Sequence, residues 1–145
     1  MCGIVGMYGR KLNLPSESLD TAILSIAHRG PDNSGQFRSE DLLLGHLRLS
    51  IVDVENDSAN QPFVDPISGS VLVFNGEIYN YLDLRKQHLK HRQFISDSDT
   101  EVLLYLLVDF GLEATLTLIN GMFAFGFFDK KLDKLFLARD IVGKK

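Results

Sequence analysis

Met1-Cys2-Gly3-Ile4-Val5-Gly6-Met7-Tyr8-Gly9 opens the chain. Residues 3–8 of this stretch are short, apolar and flanked by glycine, which reads as a buried strand. Further along, Pro15 and Ser16 open a helix whose apolar stripe is Leu19, Ala22, Ile23, Ile26 and Ala27, the spacing of one helical face. Gly30-Pro31 stops it. Residues 42–47 (LLLGHL) and 71–74 (VLVF) read as strands, with a polar loop over roughly 54–70 between them. Leu82 to Leu89 is a short helix capped by Asn80, and Thr100 to Phe110 is a stronger one stopped by Gly111. Glu113 to Ile119 forms a third short helix. Strands over 122–128 and 135–138 follow, joined by the charged turn DKKLDK. Strands therefore dominate both ends and helices sit between them, which predicts an α+β fold of largely antiparallel sheets. Sheets this apolar need helices over one face and a second sheet over the other, so a layered sandwich is expected.

The chain has 145 residues, enough for one compact domain that buries about two-thirds of its unfolded surface. Hydrophobic residues make up 45% and charged residues 23%, an ordinary globular mix with no need of a metal or disulfide staple. Net charge is −4, and the densest basic cluster, Lys86 to Arg92, is too short and mixed to track a phosphate backbone. No apolar run reaches the roughly 18 residues of a membrane span, and the first residues lack the basic region of a signal peptide. A cytoplasmic protein with no nucleic-acid or membrane partner is expected.

Cys2 is the only cysteine, so no internal disulfide can form. A lone cysteine is usually a small buried hydrophobe. At position 2, however, removal of Met1 would leave a thiol and a free α-amine on one carbon. Their reference pKa values, ~8.5 and ~7.7–8.0, are close enough for the amine to act as general base, directly or through a water. Attack on an amide would also need donors for the oxyanion. Asn75 offers a side-chain N–H and Gly76 an unobstructed backbone N–H directly after an apolar strand; a plain Asn-Gly turn fits the same two residues. Glu77, Asp97, Asp99 and Glu101 are candidate acids. The stretch Asp97-Ser98-Asp99-Thr100 suits a helix cap, and a carboxylate there could equally hold a substrate ammonium. Arg48 could grip a carboxylate in bidentate fashion or form a surface salt bridge. His88 and His91 make no convincing metal pair, and no Walker-type phosphate loop is present.

The segments MCGIVG (1–6), HRGPDNSG (28–35), RLSIVD (48–53), QP (61–62), NGEIYNY (75–81), SDSDTEVLL (96–104), NGMFAF (120–125) and ARDIVGKK (138–145) run from end to end. Together they resemble the class II glutamine amidotransferase (N-terminal nucleophile) domain, and within it the glutamine-hydrolysing asparagine synthetases. The resemblance implies a four-layer αββα sandwich. It also implies that Cys2 attacks the glutamine side-chain amide to form a γ-glutamyl thioester, and that Asn75 and the Gly76 N–H form the oxyanion hole. Arg48 would hold the glutamine α-carboxylate, Glu77 and Asp99 its α-ammonium, and backbone groups of Ile51 and Val52 would line the pocket.

The resemblance also leads one to expect a glutaminase domain over 1–145, incomplete at its C-terminal end, and an ATP-dependent synthetase domain, absent here, that would use ATP and Mg to activate an acceptor such as aspartate. The glutaminase domain itself is expected to need no metal or cofactor. The expected partners are glutamine, a synthetase domain in the same or a separate chain, and a second copy in a homodimer. Relatives of the same family that amidate sugars or acids of surface polysaccharides, and an inactive binding module of the same fold, are the alternatives. A chain that keeps Met1 and stops at Lys145 is expected to be poorly active.

Overall fold

A computed structural model describes residues 2–15, 17–49 and 60–145. Among the described residues, seven strands and three α-helices follow one another as β1 (Gly3–Tyr8), α1 (Ser18–Ser25), β2 (Asn33–Arg38), β3 (Leu42–Arg48), β4 (Phe63–Val64), β5 (Val71–Ile78), α2 (Tyr81–His88), α3 (Asp99–Leu118), β6 (Gly121–Asp129) and β7 (Lys134–Arg139). One sheet has the order β1-β3-β2 and the other β4-β5-β6-β7, and every pairing is antiparallel.

Strand alternation divides the apolar residues among three cores. In β3, Leu43 and Leu47 meet Leu19 and Ile23 of α1, while Leu42 and Leu44 meet Val71 and Val73 of β5. All seven β3 residues are buried because both faces are covered. In β5, Leu72, Phe74 and Ile78 turn the other way and pack with Phe123, Phe125 and Phe127 of β6 against α3. The layers are thus α1, first sheet, second sheet, then α2 with α3. This is the αββα sandwich. The α1 layer sits close because β3 carries Gly45, where a Cβ would lie 2.7 Å from the Ile23 side chain.

Several expectations are corrected here. Strand β5 does not end at Phe74 but runs through Asn75 and Gly76, so these two residues form no turn. The strands β2 and β4 have no counterpart in the sequence reading. The helix begun near Pro15 tightens into a 3-10 turn at Ala27–Arg29. Helix α3 does not stop at Gly111 but kinks there, at φ 79° and ψ 174°. Asn80 precedes α2 without capping it. Its side chain donates to Leu118 O at 2.9 Å and accepts from Asn120 N–H at 2.9 Å, joining the end of α3 to the start of β6. Among the described residues no helix is long and apolar enough to cross a membrane.

Candidate active site

Strand period aims the expected site residues at one space. Arg48 closes β3 on the face already set by Leu42, Leu44 and His46, toward the second sheet. Asn75 and Glu77 continue the β5 row begun by Val71 and Val73, toward the first sheet. Cys2 stands immediately ahead of β1, whose Gly3 pairs with Leu47. Asp99 is the first residue of α3. Cys2, Arg48, Asn75, Gly76, Glu77 and Asp99 all line one open cleft, with Gln61, Phe74, Thr100 and Met122 among its other walls. Ile51 and Val52, expected in the same pocket, lie outside the described residues, as does Met1.

The half-buried Cys2 thiol rests on the backbone of Leu49. It faces the Leu49 carbonyl oxygen at 3.7 Å and the Leu49 N–H at 3.5 Å. Arg29 Nε donates to the Cys2 carbonyl at 3.4 Å, tying the residue to the turn after α1. Arg48 is 7% exposed, and its Nη1 donates to Asn60 Oδ1 at 2.7 Å. Asn60 went unnoticed in the sequence because it sits in a polar stretch with no motif of its own.

Gly76 is seated by its lack of a side chain: a Cβ there would lie 2.2 Å from the Met122 carbonyl oxygen. Its N–H points away from β6. The backbone N–H groups of odd-numbered β5 residues point to β6, as Tyr79 N–H still does to Asn120 O, whereas the N–H groups of Phe74 and Ile78 go to the side chains of Gln61 and Asp99. Midway between Phe74 and Ile78, Gly76 directs its N–H to the same side, beyond the end of the two-residue β4. Asn75 is 7% exposed, and its carboxamide makes no hydrogen bond with the described residues.

Of the four candidate acids, two face the cleft. Asp99 accepts from Ile78 N–H at 2.9 Å. Burial pushes its carboxyl above the ordinary range, the Ile78 and Thr100 bonds oppose this, and the neighbouring Glu77 charge adds to the rise. Asp97 instead pairs with Arg85 at 2.9 Å on the surface. Glu101 is fully buried and turned away, accepting from the N–H groups of Ile95 and Ser96 and the hydroxyls of Ser96 and Tyr105. The helix cap expected in this stretch is Ser98, which accepts from Glu101 N–H at 3.2 Å. Of the two histidines weighed as a metal pair, His91 faces Asp109 at 2.9 Å and His88 packs edge-on against Phe110.

A thiol, a guanidinium, two carboxylates, a carboxamide and an outward backbone N–H thus share one cleft. Such a set has the chemistry for a nucleophile, for donors to an oxyanion, and for charges of both signs facing a zwitterion.

The glutamine amidotransferase domain family matches residues 1–145. The chain is 39% identical over 150 residues to the glutamine-hydrolyzing asparagine synthetase 3 of Bacillus subtilis (strain 168), a match covering 100% of this chain and 24% of that protein. It is 40% identical over 146 residues to the glutamine-hydrolyzing asparagine synthetase B of Escherichia coli (strain K12), covering 99% of this chain and 26% of that protein. The chain therefore spans about a quarter of the length of these curated relatives. Among solved structures, the glutamine phosphoribosylpyrophosphate amidotransferase from B. subtilis, complexed with ADP and GMP, superposes with a TM-score of 0.73 at 19% identity, over 94% of this chain and 37% of that one. That likeness speaks for the fold. With a family match that runs from the first residue to the last, the chain belongs to the glutamine amidotransferase domain family.

Proposed function

We propose that this domain hydrolyses glutamine, with Cys2 as nucleophile once Met1 is removed. The observation that carries the proposal is the meeting of Cys2, Asn75 and Gly76 with Arg48, Glu77 and Asp99 in one cleft. The α-amine of Cys2 takes the thiol proton as sulfur attacks the side-chain carbonyl carbon of glutamine. Negative charge gathers on the carbonyl oxygen, where the Asn75 carboxamide and the Gly76 N–H receive it. The C–N bond then breaks, the α-amine returns the proton to the leaving nitrogen, and ammonia departs. Water adds to the γ-glutamyl thioester by the same route and releases glutamate, with the thiol restored. Arg48 holds the α-carboxylate, and Glu77 with Asp99 hold the α-ammonium, which relieves the repulsion between those two carboxylates.

Residues 1–145 form the glutaminase domain in this reading. The relatives are named glutamine-hydrolyzing asparagine synthetases, and in this reading the ammonia passes to an acceptor, aspartate, on a synthetase domain that would use ATP and Mg. The zwitterion-matching charges favour a free amino acid over another amide as the substrate.

The test is intact-mass analysis after exposure to an electrophilic glutamine analogue such as a γ-diazoketone. One adduct on residue 2 of a Met-less chain is expected, blocked by excess glutamine. Labelling elsewhere, or glutamate release by a Cys2→Ala variant, would sink the assignment of the nucleophile.

A further inference from the structure

Gln61 lines the cleft, yet it has no part in the chemistry above. It is 8% exposed, and both ends of its carboxamide are engaged with one residue. Gln61 Nε2 donates to the Phe74 carbonyl at 3.1 Å, and Phe74 N–H donates to Gln61 Oε1 at 2.6 Å. This is the pair of bonds that a neighbouring antiparallel strand would make. Strand β4 pairs with β5 only at Phe63↔Leu72 and Val64↔Val71; the same register carried on would set the Gln61 backbone opposite Phe74, and the Gln61 carboxamide makes those bonds instead. Two further contacts fix it. Nε2 also reaches Thr100 Oγ1 at 3.4 Å, and the Gln61 backbone lies on β2, where a Cβ on Gly35 would stand 1.9 Å from the Gln61 carbonyl oxygen. The Phe74 carbonyl receives a second donor from the first sheet, His46 Nε2 at 3.2 Å.

A real strand here would run on beside Gly76 and cover its N–H. A side chain ends after one residue. We infer that Gln61 is a positioning residue for the oxyanion site: its carboxamide replaces a strand beside β5, holding the peptide that leads into Asn75 while leaving the Gly76 N–H open to the cleft. This rests on the proposed glutaminase reading and adds to it a residue that touches no reacting atom.

The test compares Gln61→Leu and Gln61→Glu with the parent protein. Gln61→Leu removes both bonds at similar volume. Gln61→Glu keeps an acceptor for Phe74 N–H but sets an oxygen against the Phe74 carbonyl. The kcat for glutamine hydrolysis is expected to fall about tenfold or more in both at neutral pH, because small displacements of such donors are costly. KM stays within about twofold, because the groups that bind the amino acid are untouched. Alkylation of Cys2 by iodoacetamide, which builds no oxyanion, keeps the parent rate. Lowering the pH restores part of kcat, relative to the parent, in Gln61→Glu alone, since a protonated carboxyl again both donates and accepts. Parent-like kcat in a folded Gln61→Leu overturns the inference, as does a matching fall in the alkylation rate or the absence of acid rescue in Gln61→Glu. Failure of the parent protein to release glutamate overturns both this inference and the reading beneath it.

Discussion

At Gly76 an added Cβ would lie 2.2 Å from the Met122 carbonyl oxygen and 2.7 Å from Phe123 Cα, both backbone atoms of the neighbouring strand. Neither can move without opening β5 from β6, so Gly76→Ala is expected to lose about 1–3 kcal/mol of stability and most of the glutaminase activity. Urea midpoints beside kcat would check this; a variant with parent-like kcat would contradict the placement of the oxyanion donor. His46 makes a different kind of prediction. It is fully buried, and desolvation lowers its pKa from 6.5 to about 4, with the Phe74 bond opposing the shift and the Arg48 charge adding to it. The carbonyl of Phe74 can only accept, so Nε2 carries the proton and Nδ1 is left bare and without a partner among the described residues. Above pH 6.5 the ring is neutral in both the folded and unfolded chain, and its stabilising contribution is complete. As the pH falls from 6.5 to about 4 the unfolded chain takes up a proton that the folded one resists, and up to roughly 3 kcal/mol is lost. Asp99, with its raised pKa, acts in the opposite direction at the acid end. Denaturation at pH 7 and pH 5 should show the loss, and His46→Gln should flatten it; an unchanged slope would assign the effect elsewhere.

Helix α3 carries two local devices whose energetics can be separated. At its start Ser98 accepts from Glu101 N–H, and the Glu101 carboxylate returns to the chain at Ile95 and Ser96. Ser98→Ala should cost about 1 kcal/mol and shift Asp99, the adjacent residue. Glutamine KM should rise with it while the Cys2 alkylation rate holds, and an unchanged KM would detach the cap from the substrate pocket. At Gly111 the space around a Cβ is open, since nothing stands within 4 Å, but φ 79° with ψ 174° is a region that glycine alone adopts readily. Gly111→Ala should therefore cost about 1–3 kcal/mol with no effect on kcat, as read by thermal melts and turnover. The two glycines fail substitution for unrelated reasons: Gly76 for want of room, Gly111 for its backbone angles. The sequence told of a break at Gly111 but could not distinguish a helix end from a kink, because both use the same residue.

At the scale of the whole molecule, the apolar strands were readable, and the polar β2 and the two-residue β4 were not. Continuous apolar runs such as LLLGHL and VLVF marked β3 and β5, the strands covered on both faces. The strand β2, Asn-Ser-Gly-Gln-Phe-Arg, has one large apolar residue and exists because β3 needs a partner on its second edge. Residue type named Cys2, Arg48, Asn75, Glu77 and Asp99 as candidates for the cleft but named Asp97 and Glu101 as well, and the family resemblance made the selection. The cleft was unreadable at Gln61, and behind the lining at Asn60 and His46, whose roles depend on which backbone or side-chain atom they meet across the fold. Arg48 belongs to the first sheet and Cys2 leads into it, Asn75, Gly76 and Glu77 belong to the second, and Asp99 to the helices beyond. Leu44→Ala, between the sheets, should cost about 2–5 kcal/mol and lower kcat well below the melting temperature, whereas Ile23→Ala, between α1 and the first sheet, should destabilise with kcat retained. Equal effects on kcat would refute the distinction. Because the sulfur and the proposed oxyanion donors stand on opposite plates of the sandwich, the fold would work like the two halves of a vernier scale, with turnover reading how far one plate has slipped past the other.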